Sequence, residues 1–241
     1  MSERLHDYTR GAGGAGAQEQ SFLAAERRVI LLLVFSFTSG ALAHNLPAIL
    51  PITRYITDGL LLLLNGLVLW VIYRRHRDLR LVWWLLIAYW FTFFVEVAGV
   101  ATGAVFGEYA YGRTLWVQWL DVPFVIALNW CLLALAANAV ALYLWRARRG
   151  DDPPPALAAA ALAGLILALF DGVIEPVAVA LDYWRWAGGV IPLQNYLAWA
   201  VVGFLISLPL HLGRVGFRSP VLLVYFVAEL GFFLILNLTL A

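Results

Sequence analysis

The chain has 241 residues, of which 63% are hydrophobic and 13% charged. Soluble domains are about 45–50% apolar and about 25% charged, so this composition excludes a soluble enzyme, a disordered chain and a small disulfide scaffold. The formal net charge of +1 gives no reason to expect a nucleic-acid partner. We therefore expect a multi-pass protein of the lipid bilayer, placed in the plasma membrane.

Residues 1–28 are polar and rich in glycine, and we predict a flexible N-terminal tail there. The segment Gly11–Gly16 matches the G-x-G-x-x-G pattern, but no strand precedes it and no βαβ unit follows, so a dinucleotide site is excluded. The remaining residues, 29–241, are predicted to form a single transmembrane domain. A cleaved signal peptide ending near Ala43 is an open alternative, although the long polar leader favours an uncleaved first span.

Seven runs of roughly 20 mostly apolar residues predict an all-α, polytopic membrane helix bundle. They cover about 29–51, 57–73, 81–101, 120–145, 156–180, 192–212 and 220–240. All 16 basic residues are arginine, and all but three of them lie in the N-terminal segment or in the second, fourth and sixth loops. Because arginine-rich loops remain in the cytoplasm, the N-terminus is predicted to be cytoplasmic.

Apart from Asp58 and Asp121 at the edges of the second and fourth spans, four acidic residues fall inside the predicted spans: Glu96, Asp171, Glu175 and Glu229. An acid near the centre of a membrane helix costs about 2.5–3.5 kcal/mol, so such residues usually have a function. Asp171 and Glu175 share one helix face and immediately precede Pro176, which removes a backbone hydrogen bond. Two neighbouring carboxyls in a low dielectric cannot both ionise cheaply, so one keeps its proton and can serve as a general acid. For Glu229, a purely structural hydrogen bond between helices is an equally good explanation.

Glu96 lies in the outer half of the third span, at a depth similar to that of Asp171 and Glu175. Because both helices run outward, we predict that these three catalytic carboxyls converge on one cavity. Nearby aromatic rings could face a cation, and nearby amides could hold a water molecule. The candidate substrate- and water-binding residues are Tyr109, Tyr111, Asn129, Trp130, Asn195 and Trp199. The histidines show no ligand spacing, so we predict no metal site.

Spans three–four and five–six have a similar order of residues. Each pair has an acid within a helix, then an acid followed by tyrosine in the loop (Glu108–Tyr109 and Asp182–Tyr183), then a proline and an asparagine. We predict a parallel internal repeat with the site between its two halves. The tryptophans at 184 and 186 are interpreted as part of an interfacial aromatic belt.

Five segments carry a resemblance to a known family: EVAGVATGAVFGEYAYG at 96–112, Val122-Pro123 with Asn129-Trp130, DGVIEP at 171–176, YWRW at 183–186 and PLQNYLAW at 192–199. They resemble the CruF-type carotenoid hydratases, a family that also contains the haloarchaeal bisanhydrobacterioruberin hydratase. The resemblance covers about residues 81–210. It implies hydration of a terminal carbon–carbon double bond of an acyclic, lycopene-like carotenoid to a tertiary alcohol, without a metal or redox cofactor.

The chemistry expected of the residues fits this reaction. Asp171 or Glu175 would protonate the alkene, and Glu96, ionised, would stabilise the resulting cation or accept a proton from the attacking water. Two other functions stay open: a carotenoid cyclase, which begins with the same protonation, and a proton-coupled transporter, which also uses intramembrane acids. A retinal protein needs a lysine, and the chain has none. The oligomeric state and the identity of the carotenoid are not predicted.

Overall fold

A computed structural model describes the backbone of residues 2–240, and the side chains of these residues apart from 2–18 and Ser21. Within this range the chain forms seven α-helices and four short β-strands. The helices are α1 (Ser2–His44), α2 (Leu50–His76), α3 (Leu79–Thr102), α4 (Phe124–Arg149), α5 (Ala156–Ala180), α6 (Leu193–Leu212) and α7 (Pro220–Leu240). The strands are β1 (Tyr109–Tyr111), β2 (Gln118–Trp119), β3 (Val122–Pro123) and β4 (Trp184–Trp186).

Among the described residues, the six helices α2 to α7 are long and apolar enough to cross a membrane. This confirms the predicted all-α, polytopic membrane bundle. The first predicted span falls in the second half of α1, where Phe37 packs edge-on against Tyr225 and Phe232 of α7. The helix extends back to Ser2, so the segment predicted as a flexible tail is the first part of α1. Its flexibility, the single transmembrane domain and the cytoplasmic N-terminus stay predictions.

Two helix boundaries differ from the predicted spans because prolines and turns interrupt the apolar runs. The predicted span 29–51 is divided by a turn at 45–49 that contains Pro47, and Pro51 lies in the first turn of α2. Proline fits the first turn of a helix because no partner is needed there for its missing N–H. The fourth helix begins at Phe124 rather than near 120, because Leu120 and Asp121 adopt positive φ angles of 52° and 62° in the turn between β2 and β3.

The loops after α3 and α5 are joined by a strand pair at one end of the bundle. Strands β1 and β4 are antiparallel, with Tyr109 opposite Trp186 and Tyr111 opposite Trp184. Because alternate residues of a strand point to the same face, these four aromatic side chains share one side of the ribbon. An antiparallel pair has a local two-fold axis, which is compatible with the predicted internal repeat. The repeat itself stays a prediction.

Helices α5 and α6 pack closely because glycines lie at their contact. Gly164 lies against the Ala200 carbonyl, and a Cβ added to Gly203 would lie 3.1 Å from the Gly164 Cα and 2.7 Å from the Leu167 Cδ1. Small residues let membrane helices approach until their backbones touch. This approach brings Asn195, near the start of α6, within reach of the acids on α5.

We expect Gly164→Ala to destabilise the protein by about 1–3 kcal/mol, the usual cost of adding volume to a tightly packed site. The added methyl group would meet the Ala200 carbonyl oxygen and would lie 3.0 Å from the Phe204 nitrogen. Thermal unfolding in detergent, followed by tryptophan fluorescence, measures the loss. Gly66→Ala in α2 is the matched control, since nothing lies within 4 Å of its added Cβ and alanine favours the helix. An equal loss in both variants would contradict the proposed packing constraint.

Candidate functional site

A cavity lies between the helices, below the aromatic face of the β1–β4 ribbon. The empty space within and in front of it, including the part open to the surroundings, is about 1130 Å³. Its walls are mainly aliphatic and aromatic side chains, and three carboxyls contribute to them: Glu96 of α3, Glu175 of α5 and Glu229 of α7. A mostly apolar cavity with a few converging polar groups is the usual form of a small-molecule site.

Glu96 accepts three hydrogen bonds although its side chain is buried. The Tyr109 and Tyr111 hydroxyls donate to Oε2 over 2.5 Å and 2.8 Å, and the Trp130 Nε1–H donates to Oε1 over 2.7 Å. An ionised carboxylate only accepts hydrogen bonds, so three donors match the ionised form of Glu96. Burial raises the pKa of Tyr109 and of Tyr111 well above the ordinary value, which keeps both phenols protonated and able to donate.

The chain after α3 folds back over this helix because two glycines allow it. Gly103 ends α3 with a φ of +66°, a conformation that favours glycine. At Gly99, an added Cβ would lie 2.7 Å from the Phe106 ring and 3.1 Å from the Tyr109 hydroxyl. The missing side chain at Gly99 therefore makes room for the loop that brings Tyr109 to Glu96.

The acids predicted on α5 share a single amide from α6. Asn195 Nδ2 donates to Asp171 Oδ2 over 2.6 Å and to Glu175 Oε1 over 3.0 Å. The other oxygen of Glu175, Oε2, accepts from the indole nitrogens of Trp184 at 3.0 Å and Trp186 at 2.8 Å. Glu96 and Glu175 are thus both held by uncharged donors from the β1–β4 ribbon.

Asp171 lies behind Glu175 and is fully buried, without contributing to the cavity wall. Its Oδ1 has no hydrogen-bond partner among the described residues. An isolated charge in an apolar interior is far more costly than a neutral acid, so an unpartnered oxygen fits a protonated Asp171. The pair on α5 therefore offers one carboxyl at the cavity and a second one behind it.

No arginine neutralises these carboxyls among the side chains that the structure describes. The ion pairs found there join other residues: Arg75–Glu26, Arg80–Asp78, Arg146–Asp151 and Arg185–Asp182. The cavity acids are instead surrounded by hydroxyl, indole and amide groups. Such donors can hold a carboxyl in place without preventing it from exchanging a proton.

Stacked aromatic rings connect the two groups of acids. Trp130 of α4 and Trp199 of α6 stack with ring centroids 3.9 Å apart, and both line the cavity. Trp130 also donates to Glu96, while Tyr109, another Glu96 donor, packs against Trp186 with centroids 5.2 Å apart. The Glu96 and Glu175 groups therefore belong to one continuous cluster of packed side chains.

The structure brings most of the predicted site residues to the cavity wall: Glu96, Tyr109, Tyr111, Asn129, Trp130, Glu175, Asn195 and Trp199. Asp171 is held next to Glu175 but does not touch the cavity. Asn129 contacts no acid of the cluster, and its Oδ1 instead lies 3.1 Å from the Tyr225 hydroxyl. The catalytic and binding roles of these residues stay predictions.

Sequence reasoning missed the role of Trp184 and Trp186, which it interpreted as an interfacial belt. Trp186 is only 8% exposed, and both indoles donate to Glu175. Their spacing of two residues, like that of Tyr109 and Tyr111, is the signal that indicates two side chains on one face of a strand. Asn65 and Tyr225, polar residues in apolar spans, were also missed.

Two comparisons with known proteins agree with this geometry. The model of a family described as "Carotenoid biosynthesis protein" matches residues 57–239, a range that contains α3 to α6, α7 except its last residue, and every acid of the cavity. Bisanhydrobacterioruberin hydratase of Haloarcula japonica is 32% identical over 136 residues, which cover 53% of this chain and 44% of the relative. The chain thus aligns with less than half of that relative's length. No solved structure gives a significant match.

Proposed function

The chain belongs to the carotenoid biosynthesis protein family, and from this premise we propose that it is a carotenoid hydratase. It adds water across a terminal carbon–carbon double bond of an acyclic carotenoid and forms a tertiary alcohol. The observation that carries this proposal is that Glu96 and Glu175, with Asp171 held behind Glu175, meet at one apolar cavity within a membrane bundle.

The substrate class follows from the cavity and its surroundings. A carotenoid is long and apolar, and its polyene dissolves in the bilayer around the helices. The cavity walls are mostly apolar, which suits a hydrocarbon end group. A lycopene-like end group would place its double bond near the carboxyls while the rest of the chain extends towards lipid. The plasma membrane is the location that we propose for this reaction.

Glu175 donates the proton in the first step because it is the acid of the pair that lines the cavity. Its Oε2 already accepts two indole N–H groups, whereas Oε1 accepts only the Asn195 amide. A carboxyl oxygen has two acceptor positions, so Oε1 keeps one that can carry the acidic hydrogen. Protonation of the less substituted alkene carbon leaves a tertiary cation and a Glu175 carboxylate, which Asp171, next to it on the same helix face, then reprotonates.

The cation forms next to groups that stabilise positive charge. Trp130 and Trp199 line the cavity, and a desolvated cation–π contact with such a ring contributes about 2 kcal/mol. The Glu96 carboxylate, oriented beforehand by its three donors, adds an electrostatic contribution that needs no rearrangement during the reaction. Water then adds to the cation, with Asn129 and Asn195 as amides that orient it. The net reaction adds H and OH without oxidation or reduction, so it requires no redox cofactor.

Expression in a host that accumulates lycopene tests the proposed function. We expect extracted pigment to gain the mass of one water per reacted end, measured by liquid chromatography and mass spectrometry. A host carrying the empty vector is the control. A shifted absorption spectrum with unchanged mass would replace hydration by cyclisation, the alternative that starts from the same cation. Unchanged pigment in membranes that contain the protein would contradict both reactions.

A further inference from the structure

A second group of polar side chains lies beside the same cavity, and of its members only Asn129 is used by the steps above. Tyr225 of α7 places its hydroxyl 3.1 Å from the Oδ1 atoms of both Asn65 of α2 and Asn129 of α4. Glu229 follows Tyr225 by four residues and therefore lies on the same face of α7. We refer to Asn65, Asn129, Tyr225 and Glu229 as the Glu229 cluster.

The hydrogen bonding of this cluster is incomplete. Glu229 Oε2 and Asn65 Nδ2 are buried and have no partner among the described residues. The Tyr225 hydroxyl has one hydrogen, so it can donate to only one of its two amides. Reversing the Asn65 amide would leave its oxygen without a partner in place of its nitrogen. In either orientation, the cluster keeps at least one amide atom and one carboxyl oxygen without partners.

The cluster lies near the proposed acid pair but does not share its hydrogen bonds. Glu229 and Asn129 line the same cavity as Glu175. Phe170, the residue before Asp171, packs between Phe226 and Phe233, with ring centroids at 4.9 Å and 6.3 Å. Glu229 lies between those two positions in α7, so its depth in the bundle is close to that of the acid pair.

We propose that the Glu229 cluster is the binding site of the reacting water, and that Glu229, kept ionised by the hydrogen bond which this water donates to its free oxygen, accepts the proton of that water. A buried water needs a polar site with two to four partners, and the unpaired carboxyl and amide atoms here provide them. The proposal rests on the proposed hydratase function. In this scheme the two proton transfers use different helices. Glu175 of α5 gives a proton to carbon, and Glu229 of α7 receives a proton from water.

The chemistry balances with water as the only co-reactant. The new C–O bond forms from an oxygen lone pair to the tertiary cation. One O–H bond of that water then breaks, its electron pair stays on the oxygen, and the proton passes to a Glu229 carboxylate oxygen. The product keeps the hydrogen delivered by Glu175 and the hydroxyl delivered by water. Return of the proton from Glu229 to the α5 pair through water restores both groups.

Deuterium exchange distinguishes protonation of the alkene from capture of the cation by water. Membranes containing the full chain are incubated with lycopene in D₂O, and mass spectrometry measures both the hydrated product and deuterium in the recovered lycopene. A cation that is not captured can lose a hydrogen ion from a neighbouring carbon to the Glu175 carboxylate, which returns lycopene carrying deuterium. In Glu229→Gln we expect hydration to fall roughly 100-fold, the effect of removing a general base, while exchange continues.

The matched variants make the result specific. Tyr225→Phe removes one hydroxyl of the cluster. Like Glu229→Gln, it is expected to reduce hydration more than exchange. Glu175→Gln is expected to lose both reactions. Thr239→Val, on the exposed side of α7, is the control expected to keep both. Wild-type hydration in Glu229→Gln and Tyr225→Phe would overturn the proposal, as would a parallel loss of hydration and exchange in both. If the wild type gives neither reaction, the proposed hydratase function itself fails.

Discussion

Glu175→Gln is expected to lower carotenoid hydration by roughly 10²–10⁴-fold, the range typical of losing a general acid. Glutamine has the shape of the glutamate, and its amide oxygen can still accept from Trp184 and Trp186. It has no acidic hydrogen to give to the alkene, so the cation does not form. The ratio of hydrated to unreacted carotenoid in the lycopene host measures the loss, normalised to the amount of protein in the membrane.

Asp171→Asn and Glu108→Gln test whether the loss of activity is specific to the proton donor at the cavity. Asp171→Asn is expected to slow repeated turnover while a first protonation by Glu175 remains possible, because Asp171 acts from behind the cavity wall. A burst followed by slow turnover is the signature to look for in membranes. Glu108→Gln changes an exposed glutamate of the neighbouring loop and is the matched control expected to retain activity. Full activity in both α5 variants would remove the acid assignment.

The helices could largely be predicted because their physical cause is local. About 20 consecutive apolar residues are enough for a helix to span the bilayer, whichever helices pack against it. The predicted spans 156–180 and 220–240 coincide with α5 and α7. The break between α1 and α2 was predicted at 52–56 and lies at 45–49, because apolar residues continue through the turn that contains Pro47. The short strands were missed for a different reason, since β1 and β4 pair across more than 70 residues and no local pattern of three residues specifies that pairing.

The site could be predicted in part for an energetic reason. Acids are costly inside a membrane helix, so Glu96, Asp171 and Glu175 are conspicuous in the sequence. The rotation of each helix about its own axis depends on tertiary packing. Asp171 and Glu175 share a helix face, yet only Glu175 reaches the cavity. Neither the donors from β4 nor the contact between Tyr225 and the amides of other helices could be derived without the tertiary arrangement.

The Glu96 carboxyl is held in a fixed orientation by donors from two other elements, which the residue types alone do not predict. A tyrosine pair from β1 and an indole from α4 orient its carboxyl before any substrate binds. Preorganised dipoles of this kind stabilise developing charge without a cost of reorganisation at the moment of reaction. Glu96 is therefore proposed to act on the cation rather than on the proton that creates it.

Glu96→Gln is expected to reduce both hydration and deuterium exchange by roughly 10²–10³-fold, the usual loss on removing one preorganised electrostatic group. The glutamine amide is neutral. Its NH₂ group would replace a carboxylate oxygen that accepts from Tyr109, Tyr111 or Trp130, so two donors would face each other. Both reactions require the cation, so they should fall together, in contrast to the split expected for Glu229→Gln. The assay is the same D₂O incubation with lycopene.

Removing single donors to Glu96 tests whether its orientation matters as well as its charge. Tyr111→Phe deletes one hydrogen bond to the carboxylate, a contact with a charged group that contributes about 1.5–3 kcal/mol, and leaves the ring in place. We expect a smaller, parallel decrease of hydration and exchange. Tyr143→Phe on the exposed face of α4 is the control that should change neither. If Glu96→Gln kept exchange and lost only hydration, Glu96 would act on the water, and its proposed role towards the cation would be wrong.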